Sequence, residues 1–203
     1  FTSLYAMAAL LYEGPWIAER HAAIHGFMET HSDAMNPIVR RIIAAACRFT
    51  ATDAFRGLYR QHELRQAIDR EFGNVDAILV PTAPITPSIE AVGADPVDLN
   101  ARMGRYTNFV NLADLSALAV PAGFRADGLP FGVTLISGAW RDADLQALGA
   151  QWLNHSPTPL GATERPRPDE QAPDINGDSI QVSVVGAHLE GMPLNHQLTD
   201  RGG

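Results

Sequence analysis

The histidines and the basic residues are the side chains whose spacing bears most directly on chemistry in this sequence. His21 and His25 lie four residues apart and would share one face of a helix, which is the spacing of a two-histidine metal chelate. His31 follows at another interval and no third ligand is indicated, so we expect no metal. All 15 basic residues are arginines, and the 203 residues include no lysine. Mechanisms that use a lysine as base or Schiff-base former are therefore excluded unless another chain supplies it.

The overall composition excludes further classes of protein. The formal net charge is −8, and an acidic chain has no general attraction for nucleic acid or anionic membranes. We expect neither partner, and an anionic ligand would have to meet a local arginine. The single cysteine, Cys47, cannot form a disulfide framework. This favours a small buried thiol in a reducing compartment, the cytoplasm.

The two ends of the sequence predict a piece of a longer protein. Phe1 is not an initiator methionine, and neither the basic segment nor the cleavage site of a signal peptide follows it. No apolar run approaches the roughly 20 residues needed to span a bilayer. The other end stops shortly after an alternating, strand-like segment at 180–185 has begun.

The first half of the sequence predicts helices. Gly14-Pro15 would break the opening helix, and a proline suits the first turn of the next one. Asn36-Pro37 repeats this signal for a third helix. A long fourth helix, capped by Thr52 or Asp53, would end at Gly73-Asn74. Most arginines here would cover a solvated helix face, namely Arg40, Arg41, Arg48, Arg56, Arg60, Arg65 and Arg70.

The second half predicts short buried strands. Apolar runs at 76–80 and 118–120 each stop at a proline, and Asp127-Gly128 is typical of a hairpin turn. Asp142 or Asp144 would cap a last helix. Helices combined with such strands indicate the α/β class.

Composition also divides the chain. We expect a first domain at 1–155, a proline-rich linker at 156–179, and the start of another domain at 180–203, opening with the strand at 180–185.

Several phrases resemble a known family. The segments similar to the C-terminal half of amidase-signature hydrolases are 76–84, 108–112, 119–123 and 128–133. Two further segments, 11–20 and 104–111, resemble the allophanate hydrolases within that family, and 185–198 resembles the opening of their extra C-terminal domain.

The resemblance implies both a fold and an activity. The fold would be the α/β C-terminal lobe of an amidase, a mixed sheet covered by helices, followed by the first strand of a γ-glutamylcyclotransferase-like α+β domain. The activity would be hydrolysis of allophanate (urea-1-carboxylate) to ammonia and carbon dioxide in urea or s-triazine nitrogen catabolism. We expect a cytoplasmic homodimer that acts on this small molecule without a cofactor.

The resemblance also implies that the catalytic groups lie elsewhere. The family attacks the amide carbon with a serine, assisted by a second serine and a lysine, because a serine hydroxyl needs a base to become nucleophilic. This chain has no lysine and no matching Gly/Ser-rich stretch, so we expect it to be inactive alone.

Tyr12 and Arg20 match the family's carboxylate-binding pair. On one unbroken helix they would be separated by roughly 12 Å of rise, but the break at Gly14-Pro15 lets the chain fold back and bring them together. The alternative is that Arg20 pairs with Glu13 or Glu19 while Tyr12 belongs to the core. Two further arginines close to Tyr106 could also reach the site or pair on the surface, namely Arg102 and Arg105.

The last segment holds His188 and His196. In allophanate hydrolases this domain is linked to breakdown of the N-carboxycarbamate left after amide cleavage, and a histidine could act there as acid or base. A purely structural role for both is the alternative. For the chain as a whole, two alternatives stay open: an amidase of other specificity, such as an aliphatic amidase or an amidotransferase subunit, and a non-catalytic scaffold that pairs with a separate catalytic chain.

Overall fold

The computed structural model describes residues 1–156, 158–163, 165–166, 188–192 and 194–200. The chain divides into two compact units, Phe1–Arg167 and Pro168–Gly203. The strand expected at 180–185 lies outside the described residues, so it stays a prediction, as do the domain limits. Within the described part, no helix combines the length and the apolar character that crossing a membrane requires.

Four helices make up the first half of the chain. They are α1 (Thr2–Glu13), α2 (Trp16–His31), α3 (Pro37–Ala44) and α4 (Ala51–Phe72). The predicted break is present, since Gly14 is extended and ends α1 while its N–H still donates to Leu10 O. Asn36 caps α3, with its Oδ1 accepting from Ile38 N at 2.9 Å and Val39 N at 3.3 Å. A 3₁₀ turn (Ala45–Arg48) extends α3 toward α4.

Cys47 lies in this turn and is exposed, so the expectation of a buried thiol was wrong. Ala46 takes the buried position instead. The tight 3₁₀ turn presents successive residues in different directions, and a sequence stretch of small residues does not reveal which one faces inward.

A capping box starts α4. Thr50 Oγ1 accepts from Asp53 N at 3.2 Å, and Asp53 Oδ2 accepts from Thr50 N at 2.9 Å. The cap is therefore Thr50, and the prediction of Thr52 or Asp53 was wrong because the Asp53 carboxylate serves at the third helical position rather than at the cap. The hydrogen bond from the Thr50 hydroxyl, and then that from its backbone N–H, lower the pKa of Asp53.

Asp53→Asn is expected to flatten the acid dependence of stability. A lowered pKa means that the ionised carboxylate stabilises the fold above the ordinary aspartate pKa of 3.8, and that this contribution is lost as the pH falls from there through the lowered value. The free energy of unfolding, measured by denaturant titration between about pH 2 and 6, should therefore fall less steeply with acid in the variant. Identical pH profiles for the two proteins would show that the box carries no charge-dependent stability.

Three strands form one sheet. They are β1 (Ile78–Pro81), β2 (Ser116–Phe124) and β3 (Pro130–Ser137), in the order β1-β3-β2. Both pairings are antiparallel, so the described sheet is not the mixed sheet that we expected. For β2 and β3 the reason is local, because the predicted hairpin turn joins them directly, with Gly128 at φ +80°, and such a turn imposes an antiparallel pair.

Helices cover both faces of this sheet. On one side, α1 and α4 share a core whose fully buried side chains are Met7, Ile68, Phe109 and Ile136. On the other side, α7 (Asp142–His155) lies on β2 and β3. Its Gly149 allows close approach, since a Cβ there would lie 2.5 Å from Leu118 Cδ2.

The start of α7 differs from the prediction. Neither Asp142 nor Asp144 caps the helix, which begins after Arg141 without a side-chain cap. Asp142 Oδ2 instead accepts from Ser116 Oγ at 3.1 Å, and Asp144 pairs with Arg141 at 2.6 Å. Both carboxylates still lie in the first turn, where the helix dipole favours negative charge.

The chain between β1 and β2 contributes two short helices, α5 (Ile89–Ala94) and α6 (Asp98–Met103). In the second compact unit, the described part contains α8 (His196–Thr199).

Gly57→Ala is expected to destabilise the fold. Gly57 faces the elbow between α1 and α2, which consists of Gly14 and Pro15 and continues into Trp16. A Cβ on Gly57 would lie 2.5 Å from Pro15 Cγ and 3.1 Å from Trp16 Cζ3, and a proline ring yields little. Overpacking of this kind costs about 1–3 kcal/mol, which exceeds the helix-propensity gain of alanine over glycine.

The matched control is Gly26→Ala, because this helical glycine has no heavy atom within 4 Å of a built Cβ. Gly26→Ala should raise the free energy of unfolding by roughly 0.5–1 kcal/mol. Denaturant unfolding of the three proteins checks both signs, and a stabilised Gly57→Ala would show that the elbow is loosely packed.

Candidate ligand groove

Tyr12 and Arg20 lie on the two arms of the α1–α2 elbow. Tyr12 belongs to the last turn of α1 and Arg20 to the second turn of α2. Both line a single groove of about 830 Å³, so the fold brings together the two residues that the sequence singled out. The interruption at Gly14 and Pro15 changes the direction of the chain between the two residues. On one continuous helix they would be separated by roughly 12 Å of rise.

Three walls enclose the groove. The elbow supplies one wall, α3 and the 3₁₀ turn after it supply the second, and the stretch from Asp95 to Ala101 supplies the third. The polar residues that line it are Tyr12, Glu13, Arg20, Asn36, Arg48, Asp95, Asp98 and Asn100. The remainder of the lining is apolar, including Ile17 and Ile42.

The alternative roles considered for Tyr12 and Arg20 do not match the geometry. Tyr12 is 48% exposed rather than a core residue. Within the described ranges, Arg20 forms no ion pair, so neither Glu13 nor Glu19 neutralises it. A guanidinium and a phenol hydroxyl at one cavity wall are the donors that bind a carboxylate in proteins.

The groove has the chemistry of a binding site rather than of a nucleophilic centre. Among the described residues, its lining includes no serine, cysteine, histidine or lysine, so it lacks a serine or cysteine nucleophile with an adjacent histidine or lysine base. Two guanidiniums and three carboxylates give it local charge of both signs. It can therefore orient a small polar anion, while the chemistry on that anion needs other groups.

Arg48 is the residue that the sequence reading misplaced. It was assigned to a solvated helix face, whereas it ends the 3₁₀ turn and lines the groove. Several of its companions in that assignment do form surface ion pairs, namely Arg40 with Asp33, Arg60 with Glu63 and Arg65 with Asp114. No helical periodicity marks Arg48, because its position depends on how the turn packs.

Arg102 and Arg105 do not belong to the groove lining. The Arg105 guanidinium lies 4.8 Å from the centroid of the Tyr5 ring, a cation–π contact with α1. Arg20 and Arg48 therefore both line the groove, whereas Arg102 and Arg105 do not.

The first group of histidines forms a surface ladder on α2. The His21 and His25 rings are 5.0 Å apart, and His25 Nε2 lies 3.3 Å from Glu29 Oε1. Among the described residues, no group of three or more metal-ligating side chains is arranged to hold an ion.

The second group lies in the other compact unit. His188 Nε2 is 3.1 Å from Gln197 Oε1, and the His188 carbonyl accepts from Asn195 Nδ2 at 3.0 Å. These contacts link both ends of the segment 188–197 through a histidine ring and a backbone carbonyl. A catalytic role for His188 or His196 stays a prediction.

A second cavity, of about 680 Å³, lies at the end of β1 beside the β2–β3 hairpin. Thr82, Thr86 and Phe131 line it together with Arg125, whose guanidinium is already paired with Asp127 at 2.7 Å. No sequence pattern indicates this cavity, since its walls come from segments that meet only on folding.

The amidase family matches residues 6–145 of the chain. The chain belongs to the amidase family. This amidase is 43% identical to a urea amidolyase of Lachancea kluyveri over 98% of its own length and 12% of the relative's. It is also similar to the solved allophanate hydrolase of Kluyveromyces lactis, with 38% identity, a TM-score of 0.77 and 34% of that chain covered. The solved urea amidolyase of the same organism gives a TM-score of 0.80 and 13% coverage.

These similarities confirm the family and the amidase fold that the sequence phrases predicted. They do not confirm the γ-glutamylcyclotransferase-like domain start. The amidase spans about a third of the solved allophanate hydrolase that it matches.

Arg20→Gln is expected to leave stability almost unchanged. Arg20 is exposed and has no ion pair within the described residues. Removing its positive charge should therefore change the free energy of unfolding by at most about 0.5 kcal/mol. Thermal and denaturant unfolding measure this directly. A loss well above 1 kcal/mol would assign Arg20 to the structure rather than to ligand binding.

Proposed function

We propose that this chain forms part of an allophanate hydrolase and supplies the grip on the substrate's carboxylate. The observation that carries the proposal is the meeting of Tyr12 and Arg20 in one groove, on the two arms of the elbow. The similarity to an allophanate hydrolase and to urea amidolyases supports the choice of substrate.

Allophanate suits a site of this kind. The molecule carries one carboxylate beside the amide that reacts, so a donor pair that fixes the carboxylate also sets the position of the amide carbon. Arg20 would offer a planar fork of N–H donors, and Tyr12 a single hydroxyl. Binding the carboxylate beside the reacting bond therefore uses affinity to orient the amide carbon.

The hydrolytic step needs groups that this chain does not contain. Its 203 residues include no lysine, and the groove lining that the structure describes includes no serine. The family resemblance assigns the nucleophilic serine, the second serine and the lysine to another part of the complete enzyme. The chain by itself would then bind but not hydrolyse, and ammonia release would require the complete protein.

Other expectations remain proposals. The complete enzyme would be a cytoplasmic homodimer, free of cofactor, that works in urea or s-triazine nitrogen catabolism. His188 or His196 would assist a second step on the N-carboxycarbamate.

Replacing Arg20 by alanine in the complete enzyme is expected to lower kcat/KM for allophanate about 10- to 100-fold. A hydrogen bond to a charged group contributes about 1.5–3 kcal/mol, which corresponds to that range. Tyr12→Phe, which removes only the hydroxyl, should cost less than Arg20→Ala. Ammonia release measured against allophanate concentration, with thermal unfolding in parallel, tests the pair.

Unchanged kinetics in both variants would remove the carboxylate-binding role. A complete enzyme that ignores allophanate but hydrolyses simple amides would support an amidase of other specificity. A complete protein without any amidase activity would support the scaffold alternative.

A further inference from the structure

We propose that Arg48 is a second specificity-determining residue of the groove, which acts with Arg20 to attract and hold the substrate carboxylate. This inference rests on the proposed function and deepens it. It is supported by the lengths of the helices that carry the two arginines, by the contact between the Arg48 guanidinium and the Phe49 ring, and by the charged residues that line the groove.

The lengths of α2, α3 and the 3₁₀ turn support a position of Arg48 beside Arg20 along the α2 axis. Measured from its end at His31, α2 reaches Arg20 after about 16 Å of rise. From Pro37, α3 returns along α2 by about 12 Å, and the 3₁₀ turn adds about 8 Å.

Both α3 and the turn pack against α2. Arg48, Arg20 and Tyr12 line the same groove. The helix lengths fit a path of α3 back along α2, which would bring the two guanidiniums to one substrate carboxylate.

The Arg48 side chain has an aromatic neighbour. Its guanidinium carbon lies 4.9 Å from the centroid of the Phe49 ring, a cation–π contact. Within the described residues Arg48 forms no ion pair, so no carboxylate of this part of the chain competes for its N–H donors.

A second guanidinium favours an anionic ligand in this groove. Among the described residues, three carboxylates line it, those of Glu13, Asp95 and Asp98, against the two guanidiniums. Removing the charge of Arg48 would leave one cation facing three anions and would increase the repulsion that an incoming carboxylate meets.

Such a residue should affect binding more than the chemical step. Its partner on the substrate is the carboxylate, which carries the same charge in the ground state and in the transition state of amide hydrolysis. Loss of an interaction that is equal in both states raises KM and leaves kcat nearly constant. Because Arg48 is exposed, the effect should also weaken as salt screens the charge.

The test uses the complete enzyme with Arg48→Gln, Arg48→Lys and the control Arg41→Gln, assayed on allophanate at low and high salt. Arg41 is a neighbouring exposed arginine that lies outside the groove lining and forms no ion pair within the described residues. We expect Arg48→Gln to raise KM about 3- to 10-fold at low salt with kcat within about twofold. Arg48→Lys should recover much of the loss, and Arg41→Gln should match the wild type.

Each remaining outcome counts against the proposal. If Arg48→Gln matches Arg41→Gln while Arg20→Ala is impaired, the proposed function stands and the role of Arg48 is overturned. If Arg48→Gln lowers the melting temperature and Arg48→Lys restores neither stability nor KM, Arg48 is structural. If the wild-type enzyme does not use allophanate at all, the proposed function fails and this inference fails with it.

Discussion

The contact between α4 and the α1–α2 elbow is the constraint on which the groove depends. Gly57 has no side chain, and Pro15 and Trp16 occupy the space that one would fill. The elbow is thereby seated on a helix whose own interior side joins the core through Leu64 and Ile68. Tyr12 and Arg20 line one groove, and the elbow between them is held where the Pro15 ring occupies the space of the missing Cβ of Gly57.

The same logic runs through the rest of the first compact unit. The sheet that the structure describes has three strands, and helices cover each of its faces. These helices approach closely where the side chains are small. The missing side chain of Gly149 on α7 leaves space for Leu118, as the missing side chain of Gly57 on α4 leaves space for Pro15. Packing of this kind fixes the angles between elements, and those angles decide which polar residues share a cavity.

The sequence predicted the elements well wherever a local signal was present. Gly14-Pro15, Asn36-Pro37 and the hairpin at Asp127-Gly128 all act through backbone geometry within a few residues, and the structure confirms each. The family phrases then predicted the amidase fold. Predictions failed where competing local partners exist, as for the cap of α4, or where an element's surroundings decide, as for Cys47.

The groove was predictable only in part. Tyr12 and Arg20 stood out because a family phrase carries them and because the break between them is visible in the sequence. Arg48 and the carboxylates of Asp95 and Asp98 did not, since they come from two other segments that meet the elbow only after folding. A pattern along one chain shows which residues share a helix face, but not which helix faces share a cavity.

The all-arginine composition has a consequence for how such a protein can be modified. Acetylation and ubiquitination of side chains act on lysine amines, and this stretch of 203 residues offers none. The guanidinium charges of the groove are thus not open to the enzymes that neutralise lysine by acetylation. In a longer protein that contains this stretch, lysine modification by an amine-reactive reagent would report on side chains outside it.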